Sequence, residues 1–322
     1  MILTSSGSGA MEAGIRSVLK SSDHVMAVVA GKFGDRFAKL SESYGLKTDR
    51  LTIEWGKAVS IADLEKALNK NHTALLIQHS ETSTGVLHPL QEISKWLKIN
   101  HPHCLLFVDA ITSIGAMPFE MDQWGIDVAV TGSQKALMLP PGLSFVSLSA
   151  RAEQKLKSPK LPGFYFDLER DLEAVRKNQS SFSPSISLIM ALQESLRIIF
   201  EEGLANVFAR HEKLAVATRA AIPHLGLQLA TESPSVACTS AFFPKGIDGK
   251  KLLETIKSKT GFRIAGAQDR WEGKVLRVSH LGFYSPFDLI SCLVALGREL
   301  ERAGVSAQTT RALQAFMDSY EL

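Results

Sequence analysis

Two residues at the ends of apolar segments, Asp109 and Lys135, have types and spacing that suit a shared active site. Asp109 closes the apolar segment Cys104–Val108, and Lys135 follows the segment Asp127–Val130 through a Thr-Gly-Ser-Gln turn. If both segments are strands, an amine and a carboxylate face one polar loop region. This pair suits a lysine that forms a Schiff base with pyridoxal phosphate (PLP) and an aspartate that pairs with the pyridinium nitrogen. Either residue alone is explained as well by a solvated charge, a helix cap or a turn.

Apolar strand-like segments alternate with helical ones through the first half of the chain. The pattern predicts strands at His24–Ala30, Thr52–Trp55, Thr73–Gln78, Cys104–Val108, Asp127–Val130 and Leu143–Leu148, and helices at Met11–Lys20, Phe33–Tyr44, Ile61–Asn69 and Leu90–Ile99. This alternation predicts βαβ units, and therefore an α/β fold with a mostly parallel sheet flanked by helices. Because such sheets bind ligands at the carboxyl ends of their strands, Thr82, Asp109 and Lys135 should meet at one edge.

The second half of the chain has a different pattern. Residues 158–185 contain three prolines and little periodicity, so we expect an irregular segment that wraps between domains. Two helices are predicted at Ser187–Glu202 and Leu204–Leu225. From Gly226 onward, short strands mixed with two helices predict a smaller α+β domain. We therefore divide the chain into a large cofactor-binding domain, residues 1–200, and a small C-terminal domain, residues 201–322.

The composition limits the possible partners. The chain is 45% hydrophobic and 21% charged, with a formal net charge of +3, and the two signs of charge are interspersed, so we predict no nucleic-acid partner. No apolar run approaches the roughly 20 residues needed to cross a bilayer, and the first residues do not resemble a secretory signal, so we predict no membrane association. Cys104, Cys238 and Cys292 lie far apart and show no metal-ligand spacing. We predict a cytoplasmic protein without a metal site.

Six short motifs give a more specific indication. In chain order they are Ser6–Ala10 (SGSGA), Gly31–Arg36 (GKFGDR), Glu81–Gly85 (ETSTG), Val108–Ile111 (VDAI), Ser133–Leu137 (SQKAL) and Val275–Val278 (VLRV). Together they resemble the class V aminotransferases of the alanine–glyoxylate, serine–glyoxylate and serine–pyruvate group. The resemblance covers essentially the whole chain. It implies the fold type I architecture of PLP-dependent transferases, with a seven-stranded sheet, and a homodimer whose active site lies at the subunit interface.

The resemblance also implies roles for individual residues. Lys135 would anchor the cofactor and move a proton during the reaction, and Asp109 would keep the pyridine nitrogen protonated. Phe33 and Ile111 would cover the two faces of the ring. Thr82 would form a hydrogen bond to the phenolic oxygen of the cofactor. As isolated residues, Phe33 and Ile111 could also be ordinary core side chains, and Thr82 an ordinary turn residue.

Two further sites are implied for anions. The backbone of Ser8, Gly9 and Ala10, at the start of a helix, would bind the cofactor phosphate with help from Gln134. Arg277 would bind the α-carboxylate of the substrate through a bidentate pair of hydrogen bonds. The alternative for the glycine-rich turn is a plain helix start capped by serine, and the alternative for Arg277 is a structural salt bridge.

These assignments predict a ping-pong aminotransferase. The amino group would come from a small amino acid, serine or alanine, and pass to a small 2-oxo acid such as glyoxylate or pyruvate. Phe33 favours a transaminase, because the related desulfurases and kynureninases carry a histidine at this position. The alternatives are a class V transaminase for aspartate or a phosphonate-bearing amine, or a PLP lyase. An alternative of another class is a non-catalytic assembly protein or hydrogenase-associated subunit on the same scaffold.

The chain departs from the family pattern in two places. Phe182 aligns with the position where the glyoxylate enzymes carry a threonine that reaches the partner subunit's phosphate, and Ser181 or Ser183 could replace that contact. The phosphate loop begins by Gly7, whereas the family has a longer preceding segment that packs near the substrate and across the dimer. We therefore expect either further sequence upstream or a shortened form. We also expect the 322-residue chain to fold and dimerise with weakened cofactor retention and low turnover.

Overall fold

The computed structural model of the protein describes residues 1–158 and 160–321. Pro159, in the segment predicted to be irregular, and Leu322, at the end of the predicted small domain, lie outside the described residues. Within them, the α-helices are α1 (Gly7–Val18), α2 (Lys32–Ser43), α3 (Ile61–Ala67), α4 (Leu90–Asn100), α5 (Met121–Trp124), α6 (Ala150–Lys155), α7 (Leu168–Arg176), α8 (Ile186–Glu202), α9 (Leu204–Ala221), α10 (Gly249–Thr260), α11 (Pro286–Arg302) and α12 (Thr309–Tyr320). The strands are β1 (Ile2–Leu3), β2 (His24–Val29), β3 (Lys47–Thr52), β4 (Ala74–Gln78), β5 (Ser80–Glu81), β6 (Val86–Leu87), β7 (Leu105–Asp109), β8 (Val128–Gly132), β9 (Ser144–Leu148), β10 (Gln228–Leu229), β11 (Cys238–Phe242), β12 (Ala265–Gly266) and β13 (Val275–Ser279).

The large sheet has the strand order β1-β9-β8-β7-β4-β2-β3. The neighbours from β8 to β3 all pair in parallel, whereas β9 is antiparallel to β8 and β1 is antiparallel to β9. Parallel neighbours need long crossover connections, and helices supply several of them here. The predicted α/β fold, with a mostly parallel seven-stranded sheet, is confirmed.

Side chains of the central strands alternate between two apolar cores. On β2, Val25 and Ala27 belong to the core that α1 and α2 cover, while Met26 and Val28 belong to the core that α3 and α4 cover. Every residue of β2 is buried, because both faces of the sheet carry helices. This explains why the parallel strands appear in the sequence as continuous apolar runs and not as alternating ones.

Two local predictions are wrong. The strand predicted at Thr52–Trp55 lies earlier, at Lys47–Thr52, where it pairs with β2 at the edge of the sheet. This strand is polar because it has a neighbour on one side only, so the apolar pattern did not reveal it. The segment predicted to be irregular contains α7, whose N-terminus is capped by the Asp167 carboxylate through the amides of Glu169 and Arg170.

The C-terminal region forms a second, smaller sheet. Its order is β10-β11-β13-β12, with antiparallel pairing throughout, and helices α9 to α12 share an apolar core with it. This is the α+β character expected from the sequence. A domain boundary after residue 200 would fall in the last turn of α8, and it stays a prediction.

Backbone hydrogen bonds attach the connection between β10 and β11 of the small sheet to the hairpin of β5 and β6. The Ser235 amide donates to the Gly85 carbonyl at 2.8 Å, and the Leu87 amide donates to the Ser233 carbonyl at 2.8 Å. The loop 82–85 is thus fixed between the two sheets. Among the described helices, none combines the length and the apolar character that a membrane span requires.

Candidate active site

A cavity of about 280 Å³ opens at the carboxyl edge of the large sheet, between the ends of β4, β7 and β8 and the start of α1. Its lining residues are Ser6, Gly7, Ser8, Phe33, Arg36, Ser80, Thr82, Asp109, Ile111, Thr112, Gln134 and Lys135. Parallel strands direct their carboxyl ends to this edge, and the connecting loops supply the polar groups. The residues singled out after three separate strands therefore meet at one cavity.

Asp109 ends β7 and is buried at the base of the cavity. One carboxylate oxygen, Oδ1, accepts a hydrogen bond from the Ile111 amide at 2.9 Å. Oδ2 has no hydrogen-bond partner among the described residues. Burial raises the pKa of Asp109 to about 7, while the Ile111 amide and the cations Arg36 and Lys135 oppose this rise, and Glu81 adds to it. Burial therefore favours the protonated acid, and a positively charged partner beside it would favour the carboxylate.

Lys135 lies three residues beyond the end of β8, in a turn with its own hydrogen bonds. The Ser133 hydroxyl donates to the Pro140 carbonyl at 2.7 Å, and the Met138 amide donates to the Lys135 carbonyl at 2.9 Å. Met138 has a φ of 58°, a left-handed conformation that is uncommon for a side-chain-bearing residue. Burial lowers the pKa of Lys135, and the neighbouring Arg277 lowers it further. A larger fraction of the amine is therefore neutral near pH 7 than for an exposed lysine.

Phe33 is positioned by the capping of α2. The Glu81 carboxylate accepts hydrogen bonds from the amides of Phe33 and Gly34 at 3.0 and 2.8 Å, and the Ser83 hydroxyl accepts one from the Lys32 amide at 2.9 Å. Burial raises the pKa of Glu81, which these amides and Ser83 counteract. The ETSTG motif thus fixes the N-terminus of α2, a role that the sequence analysis did not assign to Glu81.

Ile111 closely approaches the start of α1. A Cβ on Gly7 would lie 2.4 Å from Ile111 Cδ1, so only glycine fits here without displacing this side chain. Phe33 and Ile111 both line the cavity, which gives it apolar surface beside its charged groups. A flat aromatic ligand with a polar periphery suits such a lining.

The start of α1 is the predicted phosphate loop. Ser8 lines the cavity, but Gly9 and Ala10 do not, and their amides both donate to the Ser6 carbonyl at 2.9 and 3.2 Å. The helix begins at Gly7, earlier than the sequence analysis placed it, so the first amides without an acceptor in the helix belong to Gly7 and Ser8. Ser6 and Gly7 line the cavity beside Ser8, and a phosphate contact from the Gly9 and Ala10 amides stays a prediction.

Thr82 and Arg277 lie side by side. Thr82 lines the cavity and is buried, and its carbonyl accepts a hydrogen bond from Arg277 Nη1 at 2.8 Å. Arg277 Nε and Nη2 both donate to the Gly266 carbonyl, at 3.2 and 2.9 Å. Two of the five guanidinium N–H groups, one on each terminal nitrogen, keep no protein acceptor within the described part of the chain. No carboxylate of the described residues pairs with Arg277, so the salt-bridge alternative is not realised there.

The lining includes four polar residues that were not predicted as site residues from the sequence: Ser6, Arg36, Ser80 and Thr112. Arg36 belongs to the GKFGDR motif, which was noted only for Phe33. Ser80 precedes the ETSTG motif, and Thr112 follows Ile111. Each of these residues lies in or next to one of the six motifs, and this position is the sequence feature that could have identified it as part of the site.

Phe182 lies away from this cavity. It stacks on Tyr165 with ring centroids 4.7 Å apart, and the Arg170 guanidinium lies 4.4 Å from its ring centroid. This packing holds Phe182 within its own subunit and leaves Ser183 exposed beside it. A contact from residues 181–183 to a partner subunit stays a prediction.

The residues of the cavity fit PLP by their chemistry. The pyridinium nitrogen needs a carboxylate, and Asp109 Oδ2 has no protein partner in the described structure. The phosphate needs donors, and the start of α1 offers the amides of Gly7 and Ser8. The Gln134 side chain lies in the same lining, and its amide NH2 group can donate hydrogen bonds. The site and the fold together define a fold type I PLP-dependent enzyme.

Comparison with known proteins identifies the family. The model of the family "Aminotransferase class-V" matches residues 1–288. A protein of Synechococcus sp. named "Soluble hydrogenase, small subunit" is 38% identical over 97% of this chain and 82% of its own length. The serine–glyoxylate aminotransferase of Arabidopsis thaliana is 33% identical over 94% of this chain and 78% of its own length. A solved aspartate aminotransferase of subgroup IV from Thermus thermophilus superposes with a TM-score of 0.87 at 32% identity, over 94% of this chain and 84% of that chain.

The chain therefore belongs to the class V aminotransferases. It is a PLP-dependent transaminase by family, as the motifs predicted. The substrates differ between the relatives' names, so the family does not by itself determine which amino donor this protein uses.

Proposed function

We propose that the protein transfers the amino group of serine or alanine to a small 2-oxo acid, glyoxylate or pyruvate, in a ping-pong reaction. The observation that carries this proposal is the convergence of Lys135, Asp109 and Thr82 on one cavity, with Arg277 bound to the Thr82 carbonyl. Lys135 and Asp109 supply an amine and a carboxylate in the cavity lining, and the Arg277 guanidinium lies outside that lining, next to Thr82. The intact set supports catalysis over the non-catalytic assembly alternative.

The proposed cofactor site uses the residues of the cavity. Lys135 would be the covalent anchor, Asp109 would pair with the ring nitrogen, and Thr82 would bind the phenolic oxygen. Ser6, Gly7, Ser8 and Gln134 would hold the phosphate, and Phe33 and Ile111 would contact the ring. When bound, PLP supplies an electron-accepting ring that stabilises the negative charge released at the substrate Cα.

Lys135 and Asp109 divide the proton chemistry. Because burial lowers the pKa of Lys135, its Nζ can accept the proton from the substrate Cα and return it at the next step. Burial raises the pKa of Asp109, and a cation beside the carboxyl group would lower that pKa again. Its ionised form then holds a proton on the ring nitrogen, which keeps the ring electron-deficient.

Arg277 is proposed to orient the substrate. Its two free N–H groups match the two oxygens of an α-carboxylate. Lys32, another cation at this end of the molecule, is held by both Asp269 oxygens at 2.9 and 3.1 Å. Asp269 lies three residues after Gly266, whose carbonyl accepts from Arg277. Lys32 lies outside the cavity lining and is paired, so Arg277 is the cation proposed for the substrate α-carboxylate.

A donor–acceptor matrix tests this proposal. The purified protein with added PLP is assayed with serine, alanine and aspartate as donors and with glyoxylate and pyruvate as acceptors. We expect serine or alanine with glyoxylate or pyruvate to give the highest kcat/KM, and the Lys135→Ala variant to give no turnover with any pair. Preferred turnover of aspartate would overturn the substrate assignment, and absence of all turnover would overturn the catalytic one.

The proposal includes a cytoplasmic homodimer with its active sites at the subunit interface. Large apolar side chains are exposed on α8 and before and within α11: Ile186 (64% exposed), Met190 (67%), Phe283 (79%) and Phe287 (67%). Such exposure supports a protein partner, and a second copy is the partner that the family implies. The three free cysteines are buried, which fits a reducing compartment. Light scattering on the purified chain should give twice the monomer mass, and a monomer at micromolar concentration would contradict this part.

A further inference from the structure

Arg36 is the cation of the cavity to which the proposed mechanism gives no task. It lies on α2, one helical turn after Phe33, and lines the cavity with its half-buried side chain. No carboxylate among the described residues lies within ion-pair distance of it. Arg50, by contrast, pairs with Asp35 and Glu42 on the outer side of the same helix at 2.7 and 2.6 Å. A guanidinium that is partly withdrawn from water without a counter-ion indicates that a ligand supplies the anion.

The contacts of Arg36 direct it to the start of α1. Its Nη1 donates a hydrogen bond to Ser8 Oγ at 2.9 Å, and its guanidinium carbon lies 5.0 Å from the centroid of the Phe33 ring. Arginine can only donate, so Ser8 Oγ is the acceptor in this bond. The Ser8 hydroxyl proton must therefore point elsewhere, and no protein acceptor for it is found in the described structure. This leaves the hydroxyl as a donor beside the free amides of Gly7 and Ser8.

We propose that Arg36 is a positioning residue for the phosphate end of the cofactor site: it holds the Ser8 hydroxyl as a donor towards the phosphate and supplies the positive charge that the phosphate requires. This inference rests on the proposed function, because it takes PLP as the occupant of the cavity. It also links two parts of the site. The same guanidinium contacts Phe33 and Ser8, so α1 and α2 are held in one arrangement around the ligand.

The test separates the phosphate from the rest of the cofactor. Apoprotein is titrated with PLP and with pyridoxal, which lacks the phosphate, and the affinity is read from the absorbance of the bound chromophore. For Arg36→Leu we expect PLP affinity to fall about tenfold to a hundredfold, the range of a lost charge-assisted hydrogen bond, with pyridoxal affinity almost unchanged. Arg36→Lys, which keeps the charge, should recover part of the loss. Lys39→Leu, which removes an exposed cation from the same helix, should leave both affinities unchanged.

A double variant tests whether Arg36 acts through Ser8. Ser8→Ala should also lower the affinity for PLP more than the affinity for pyridoxal. The fold-loss of PLP affinity in the variant that combines both substitutions should be smaller than the product of the two single fold-losses. If the loss of PLP affinity in the combined variant equals the product of the two single losses, Arg36 does not position Ser8. Equal losses for PLP and pyridoxal in Arg36→Leu and Arg36→Lys would show a purely structural role and overturn the inference. If the wild-type protein binds PLP but Arg36→Leu does not weaken PLP binding more than pyridoxal binding, only the role of Arg36 is overturned. If the wild-type protein binds neither PLP nor pyridoxal, the proposed function is overturned as well.

Discussion

Two clusters of titratable groups lie at opposite ends of the large sheet, and only one of them is built for chemistry. At the amino ends of the strands, the Asp49 carboxylate accepts hydrogen bonds from His24 Nε2 at 2.9 Å and from His72 Nε2 at 3.0 Å. His72 Nδ1 accepts a further hydrogen bond from the Asn69 amide at 3.1 Å, so its Nε2 carries the proton and donates to Asp49. Two histidines and an aspartate thus lie within metal-ligand distance of one another, but His72 is oriented as a donor and not as a ligand.

At the carboxyl ends, the polar groups are left incomplete. Asp109 uses one oxygen, Arg277 keeps two free N–H groups, and Lys135 has no described hydrogen-bond partner for its amine. The cluster at the amino ends is satisfied by the protein, whereas the cluster at the carboxyl ends requires a ligand to complete it. Unused hydrogen-bonding capacity beside a cavity therefore indicates function better than the mere presence of titratable residues.

Removal of Lys135 should produce the largest effect. Lys135→Ala loses both the cofactor anchor and the group that moves the substrate proton, so kcat should fall on the order of a thousandfold or more. Steady-state assays with excess PLP measure this. Lys32→Ala serves as the matched control, because it removes an ion-paired lysine outside the cavity lining. Comparable loss in both variants would contradict the assignment.

Arg277→Lys should have the next largest effect. A lysine keeps the charge but loses the planar fork, so kcat/KM should fall on the order of a hundredfold, equal to a few kcal/mol, while the cofactor absorbance persists. The variant is assayed over a range of donor concentrations and scanned for bound cofactor. Unchanged kinetics would show that Arg277 is structural.

Asp109 should make the stability of the apoprotein depend on pH. Its pKa is raised from the ordinary value of 3.8 to about 7, so between these pH values the folded protein keeps a proton that the unfolded chain has released. This contribution to the free energy of unfolding is fully present below about pH 4 and is lost as the pH rises towards 7, by up to a few kcal/mol. Thermal melts of the wild-type apoprotein and of the Asp109→Asn apoprotein, each at pH 5 and pH 8, measure this pH dependence.

The Asn variant cannot ionise, so its stability relative to the wild type should be greater at pH 8 than at pH 5. A constant difference between the two proteins would show that Asp109 does not titrate in this range.

Disruption of the cluster at the amino ends should have the smallest effect. Asp49 is 47% exposed at its side chain, so its pairs with His24 and His72 are screened by water. Asp49→Asn should lower the free energy of unfolding by about 1 kcal/mol or less and leave kcat/KM unchanged. Chemical denaturation and the standard assay measure both quantities. A large loss of activity would remove the contrast between the two ends of the sheet.

The sequence revealed the residues that lie next to strongly apolar strands. Asp109 is the last residue of the buried strand β7, and Lys135 lies three residues after the end of the buried strand β8. The ends of these strands therefore determine the positions of both residues closely. The parallel sheet was predictable for the same reason, since burial on both faces leaves a continuous apolar run. The edge strand β3 was misplaced because its one-sided burial leaves no such run.

Residues whose roles depend on contacts between distant segments were missed or shifted. Arg36 lies 28 residues from Ser8 in the sequence, and no local pattern shows that their side chains meet. Glu81 caps α2 from 47 residues away. Helix α1 begins at Gly7 and not at the predicted Met11, because helix starts can be read from sequence only to within a few residues.

The position of the covalent bond to the cofactor tests whether Lys135 is the anchor. The protein is incubated with PLP and reduced with borohydride, and its peptides are mapped by mass spectrometry. We expect a pyridoxyl group on Lys135, and none at this position in the Lys135→Ala variant. A label on Lys32 or Lys274, with Lys135 unmodified, would contradict it.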